Sequence, residues 1–140
     1  MTIFFYFETK IKLEKRLFLK QFLKEMNNIE GSKIKQLSFV FCSDTYLLDI
    51  NRRYLNHNNF TDVITFNLNT EKSGIAEGEI YISVERIREN AIKYKTTIDK
   101  ELHRVIFHGV LHLCGYQDKT NRQATTMRAK EDFYLQRFGL

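Results

Sequence analysis

The hydrophobic positions of this chain change period several times, and each change marks an element. Thr2–Glu8 is a short apolar run read as a first strand. From Leu13 to Asn27, Leu13, Leu17, Leu19, Phe22, Leu23 and Met26 recur among Lys and Glu, the spacing of an amphipathic helix, and Gly31 is its stop. Lys35–Cys42 sets Leu37, Phe39 and Phe41 against Ser38, Val40 and Cys42, which predicts a strand buried largely on both faces. Ser43 is placed to cap a helix over Asp44–Leu55, with Asp44 at its positive end. A polar loop over Asn56–Asn59 leads to a strand at Asp62–Leu68. A loop holding Gly74 and Gly78 then precedes a strand at Glu79–Ser83. Helical periods follow at Val84–Tyr94, Ile98–Leu113 and Asn121–Arg137. The order β-α-β-α-β-β-α-α-α predicts an α/β (α+β) fold: a mixed sheet of about four strands with helices packed on it.

At 140 residues without repeats, linkers or low-complexity tracts, the chain reads as a single domain over 1–140 with room for a real core. Its two cysteines, Cys42 and Cys114, are far apart and form no CxxC pair. That predicts no disulfide framework and a cytoplasmic setting. The N-terminal apolar run lacks a basic lead and a small-residue cleavage site, so it is read as a strand rather than a signal peptide. No apolar stretch is long enough to span a bilayer, and no membrane partner is expected. A formal charge of +5 favours a polyanionic partner without identifying it. Lys15, Arg16, Lys20 and Lys24 of the first helix, with Lys33 and Lys35, offer a phosphate-tracking surface. The solvated face of an amphipathic helix explains them slightly better.

The chemistry concentrates between Phe107 and Asp118. Thr97 is a candidate cap, and Asp99 and Glu101 suit a first turn, so the segment is read as helix. Residues four apart share a helix face, so His108 and His112 can offer imidazole nitrogens to one ion. Gly115 falls where a left-handed cap would end the helix, and the reversed chain can carry Asp118 back towards the imidazoles. Two His and one carboxylate leave a position of a four-coordinate zinc open for water, a catalytic arrangement. A His pair at this spacing is by itself as often metal-free as not, and the added Gly and carboxylate tip the reading to metal. Cys114 lies nearly opposite His112 on a helix and is read as a small buried residue. His103 is off the ligand face and is read as a surface histidine.

This segment resembles the signature HGxLHLxGYDH of the YbeY family of bacterial metallo-endoribonucleases. Here it stands as His108-Gly-Val-Leu-His112-Leu-Cys-Gly-Tyr-Gln117-Asp118. The third family ligand is usually His, and Asp118 takes its place. Asp is a competent zinc ligand, although an anionic donor makes the metal a weaker Lewis acid. A second stretch of the family, LNxxYRxKDxPTDVLSFP followed by a GDI strand, resembles Ile50 to Asn67 and then Gly78-Glu79-Ile80. Leu55 stands where the family usually has an Arg expected to handle phosphate. Arg52 and Arg53 are the candidate replacements from the same helix, as RNA-binding residues.

The resemblance implies a single-strand-specific, zinc-dependent endoribonuclease with one Zn2+ per chain held by His108, His112 and Asp118. It further implies maturation of the 3′ end of a 16S rRNA precursor, ribosome quality control, and ribosome or small-subunit proteins as partners. The catalytic candidates are the metal-bound water and His57, which sits in the polar loop and is otherwise an exposed loop histidine. Two rivals stay open. The spacing His108, His112, Gly115, Asp118 also resembles the extended metzincin motif HExxHxxGxxH, but Gly109 stands where those peptidases keep their general base. A non-enzymatic ribosome-assembly or RNA-binding protein whose metal only stabilises the fold is the other.

Overall fold

The computed structural model describes residues 1–68 and 76–140. The elements follow the expected order: β1 (Thr2–Phe7), α1 (Arg16–Ile29), β2 (Ile34–Cys42), α2 (Asp44–Leu55), β3 (Val63–Asn67), β4 (Ala76–Ser83), α3 (Val84–Lys93), α4 (Ile98–Leu113) and α5 (Asn121–Phe138). The four strands form one mixed sheet in the order β1-β2-β4-β3. β1, β2 and β4 run parallel, and β3 returns antiparallel on β4. The parallel pairs need crossovers, which α1 and α2 supply within their connections.

β2 is a central strand, and its alternation decides where the core lies. Leu37, Phe39 and Phe41 are completely buried and meet Ile80, Ile82 and the apolar stripes of α1, α4 and α5 in the main core. Its other face is thinner: Cys42 packs with Leu47 of α2 and Ile64 of β3 in a small second cluster, with Val40, Phe66 and Tyr81 partly covered. Burial pushes the Cys42 thiol up to about 12, so it is an inert packing group. Two cations of α1 lie over rings of β1: the Arg16 guanidinium is 4.7 Å from the Phe7 ring centroid and Lys20 Nζ 5.6 Å from that of Phe5. No helix among the described residues is long and apolar enough to cross a membrane.

Local chemistry sets most boundaries. Ser43 accepts a hydrogen bond from the Tyr46 N–H and Thr97 from the Lys100 N–H, so α2 and α4 begin where the caps predict. Gly31, at φ +66°, turns the chain out of α1. The first helix differs from expectation at its start. Leu13 is buried in the core from the segment before α1, and Lys15, left-handed at φ 53°, precedes the first helical residue. An apolar residue at helical spacing was thus recruited by the core without joining the helix.

Gly78 is not in a loop. It lies within β4, paired with Leu37 and Asn67, while Gly74 falls outside the described residues. A Cβ on Gly78 would sit 2.3 Å from a methyl of Leu113, and one on Gly109 would sit 2.8, 2.9 and 3.2 Å from three side-chain carbons of Ile80. These two glycines let α4 settle onto β4, which brings the helix carrying the histidines onto the sheet. Leu113 has a mobile end that can yield; Ile80 is completely buried and β-branched. Gly109→Ala is therefore expected to lose about 1–3 kcal/mol to overpacking, offset by roughly 1 kcal/mol of helix propensity. Urea unfolding should show a net loss, and a variant as stable as the parent would mean that the sheet gives way.

Candidate metal centre

α4 is buried around most of its girth, so its side chains have little freedom. His108 and His112, one turn apart on its partly open face, bring their Nε2 atoms to 3.0 Å. Gly115 (φ +104°) reverses the chain, with Tyr116 N–H bonded to the Leu111 carbonyl. Asp118 then returns, its Oδ2 lying 3.4 Å from His108 Nε2 and 3.3 Å from His112 Nε2. One donor atom from each of the three lies within 4.8 Å of the others, a grouping that could hold a metal ion.

The outer nitrogens show what this grouping is suited to. His112 Nδ1 is 2.9 Å from the Tyr116 carbonyl oxygen, which can only accept, so Nδ1 carries the proton. His108 Nδ1 is 2.7 Å from Glu131 Oε2 and donates to that carboxylate. With Nδ1 so engaged, the neutral form of each imidazole offers its lone pair at Nε2, and the two Nε2 atoms lie side by side next to an Asp118 oxygen. Three electron-rich atoms converging on one point call for a cation, and the donor set (two imidazoles, one carboxylate) suits zinc. Burial works against a charged His108, yet Glu131, with Asp118 and Asp62 behind it, holds its pKa above the ordinary histidine value.

The centre opens into a cleft of about 770 Å³ between α4, α5 and the α2–β3 segment. Asp62 and Glu101 line it, and burial raises both carboxyls above the usual range. Arg104 crosses its floor, its Nη1 at 3.1 Å from Glu131 and 2.8 Å from Asp132. Arg128, Lys119, His57 and Leu55 also line it.

Of the residues singled out in the sequence, His108, His112 and Asp118 come together, and His57 reaches the cleft. Arg52 and Arg53 do not line it. They lie on the exposed face of α2, where Arg52 Nε is 2.5 Å from Asn58 Oδ1 and Arg53 pairs with Asp49 at 3.1 Å. His103 is not a surface residue but 2 % exposed, stacked near Phe107 and Phe138, with its Nδ1 2.7 Å from the Asp99 carbonyl. Cys114 is only partly buried because it already belongs to the end of α4. Glu131 was missed. A charge on the core stripe Met127, Glu131, Tyr134, Leu135 was the available signal, since a carboxylate at a buried position must have a partner.

A second carboxylate, on a partly buried residue, braces the loop that carries Asp118. Glu30, at the end of α1, accepts hydrogen bonds from Tyr116 at 2.7 Å, from Lys130 at 3.2 Å and from Tyr134. Burial alone would raise its pKa, but these three donors hold it below the ordinary value of 4.5. A lowered folded pKa means stability that is present above the unfolded value and lost as pH falls through the folded one. Glu30→Gln is expected to cost about 2–3 kcal/mol at neutral pH, with the gap shrinking as pH falls below the ordinary value of 4.5. Urea unfolding at neutral and at acid pH checks this, and a pH-independent gap would sink the argument.

Comparison with known proteins agrees with the geometry. The model of the family described as endoribonuclease YbeY matches residues 6–139. A protein named endoribonuclease YbeY from Cytophaga hutchinsonii is 46% identical over 135 residues, covering 96% of this chain and 94% of its own. One of the same name from Karelsulcia muelleri is 44% identical over 131 residues, covering 94% and 92%. A solution structure of a Thermotoga maritima protein matches with a TM-score of 0.61 at 25% identity, over 99% of this chain and 89% of that one. With the family model spanning nearly the whole sequence and relatives above 40% identity end to end, this chain belongs to the YbeY family of endoribonucleases.

Proposed function

We propose that residues 1–140 act as one zinc-dependent endoribonuclease unit that cuts single-stranded RNA, with one Zn2+ held by His108, His112 and Asp118. The observation that carries the metal is the convergence of two Nε2 lone pairs and a carboxylate, each imidazole fixed from behind by an acceptor. RNA as substrate is supported by the names of the relatives and by the +5 charge of the chain. A 16S rRNA precursor is the proposed natural substrate, met in the cytoplasm on or near the ribosome.

Zinc bound there would lower the pKa of its water towards neutrality and polarise a phosphoryl oxygen. The chain's own residues do the rest. Glu131 and the Tyr116 carbonyl keep His108 and His112 in the ligating tautomer and aim. His57, on the cleft wall, is assigned to carry a proton to or from the reacting phosphodiester. Arg52 and Arg53, outside the cleft, would meet RNA only beyond the bond being cut. The metallopeptidase reading loses ground, since a Glu at position 109 would have to enter the space filled by Ile80.

The test is cleavage of a labelled single-stranded RNA by protein stripped of metal with a chelator, and by the same preparation reloaded with zinc. Cleavage is expected on reloading only. Equal cleavage by both would overturn the reading. No cleavage by either, with zinc bound and the fold stabilised, would favour the non-enzymatic assembly factor.

A further inference from the structure

The walls of the cleft repel the substrate they are proposed to receive. Asp62, Glu101, Asp118 and Glu131 present carboxyl groups to it, and a phosphodiester is an anion. Among the described residues that line the cleft, the cationic side chains are Arg104, Lys119 and Arg128. Arg104 is already committed: it is 13% exposed and bonded to both Glu131 and Asp132. The α2–β3 segment adds no Lys or Arg to the described lining: it brings amides, hydroxyls, His57, the apolar Leu55 and the Asp62 carboxyl.

Arg128 differs on each count. It sits on α5 one turn before Glu131, with its side chain 58% exposed. Among the described residues, the carboxylate oxygen it pairs with is Glu131 Oε1, 3.7 Å away and beyond hydrogen-bond range. That oxygen already accepts from Arg104, and Glu131 Oε2 accepts from His108. Glu131 therefore holds Arg128 by charge over the cleft without using its donors. Its helix is anchored through Met127, Tyr134 and Leu135 in the core, so the guanidinium is carried on a rigid element. A planar guanidinium fits two phosphate oxygens at once, which the single ammonium of Lys119, on the loop beside Asp118, does not.

We infer that Arg128 is the phosphate-binding cation of the cleft, taking the non-bridging oxygens of the RNA phosphodiester beside His108. This rests on the endoribonuclease reading for its substrate. It places phosphate recognition on α5 rather than on α2, where Leu55 stands.

The experiment uses zinc-loaded protein as wild type, Arg128→Gln, Arg128→Lys and Lys119→Gln. Binding of a fluorescent single-stranded RNA is followed by anisotropy over a salt series, with kcat/KM for cleavage of the same RNA and bound zinc measured alongside. Arg128→Gln should lower kcat/KM roughly 10–100-fold, the loss of one charge-assisted contact. The slope of log affinity against log salt should flatten by about 0.7, one phosphate contact on a single strand. Bound zinc should stay at the wild-type level. Arg128→Lys should restore the slope but only part of kcat/KM, and Lys119→Gln should change both less than Arg128→Gln does. Unchanged affinity and slope in Arg128→Gln would overturn the assignment. So would loss of bound zinc, which would place the effect on Glu131 and His108, or Lys119→Gln reproducing the whole change. If the wild type binds RNA but never cleaves it, the endoribonuclease reading fails, and the salt slope still decides for or against Arg128.

Discussion

A His112→Ala variant is expected to bind zinc roughly 10²–10³-fold more weakly than the parent and to lose RNA cleavage. Apparent free energies of about 10–16 kcal/mol for protein zinc sites, shared over three or four ligands, put one ligand at roughly 2.5–5 kcal/mol, centred on about 3.7 kcal/mol. His112 has less outside support to lose than its neighbour, because its Nδ1 partner is a neutral carbonyl rather than a buried carboxylate. Its removal should therefore leave the fold largely intact while removing the convergence of donors. His108→Ala would do both kinds of damage, since Glu131 would be left without one of its partners. Competition with a chromophoric chelator measures the affinity, and circular dichroism reports the fold. Tight, stoichiometric zinc binding by a folded His112→Ala protein would show that the ion sits elsewhere.

How far the sequence foretold this depends on whether a residue acts through its neighbours in the chain or through distant ones. The bounds of α2 and α4 agree with expectation because Ser43 and Thr97 cap locally and Gly115 needs only its own φ to end the helix. The grouping of His108, His112 and Asp118 was legible for the same reason, as a helix turn and a reversal are both short-range events. Leu13, His103 and Gly78 were misplaced because tertiary packing decided them. Leu13 went to the core from the segment before α1, and His103 shares the buried α4 face of Phe107 and packs against Phe138 of α5. Gly78 is a strand residue whose missing Cβ matters only to Leu113, 35 positions away. Arg52 and Arg53 share α2 with Leu55, but helical geometry turns them to solvent while Asn51 and Leu55 face the cleft. The residues that support the centre, Glu30 and Glu131, come from opposite ends of the chain. Each announced itself only as an acidic group near an apolar stripe.

Replacing Glu131 should show how much of the centre is held from behind. Glu131→Ala is expected to cost about 3–5 kcal/mol of folding stability, because Arg104, 13% exposed, would lose one of its two carboxylate hydrogen-bond partners among the described residues. It is also expected to weaken zinc binding by roughly 10–100-fold, the usual effect of deleting the group that orients a ligand histidine. Glu131→Gln separates the two roles. Its amide oxygen can still accept from His108 Nδ1 and hold the ring in place, but it supplies no charge to Arg104. Orientation as the dominant contribution thus predicts that Gln recovers most of the zinc affinity and little of the stability. Chelator competition and urea unfolding on the same two variants read the split. If zinc affinity is unchanged in Glu131→Ala while stability falls, Glu131 is a brace for Arg104 and α5, and His108 finds its aim from α4 alone.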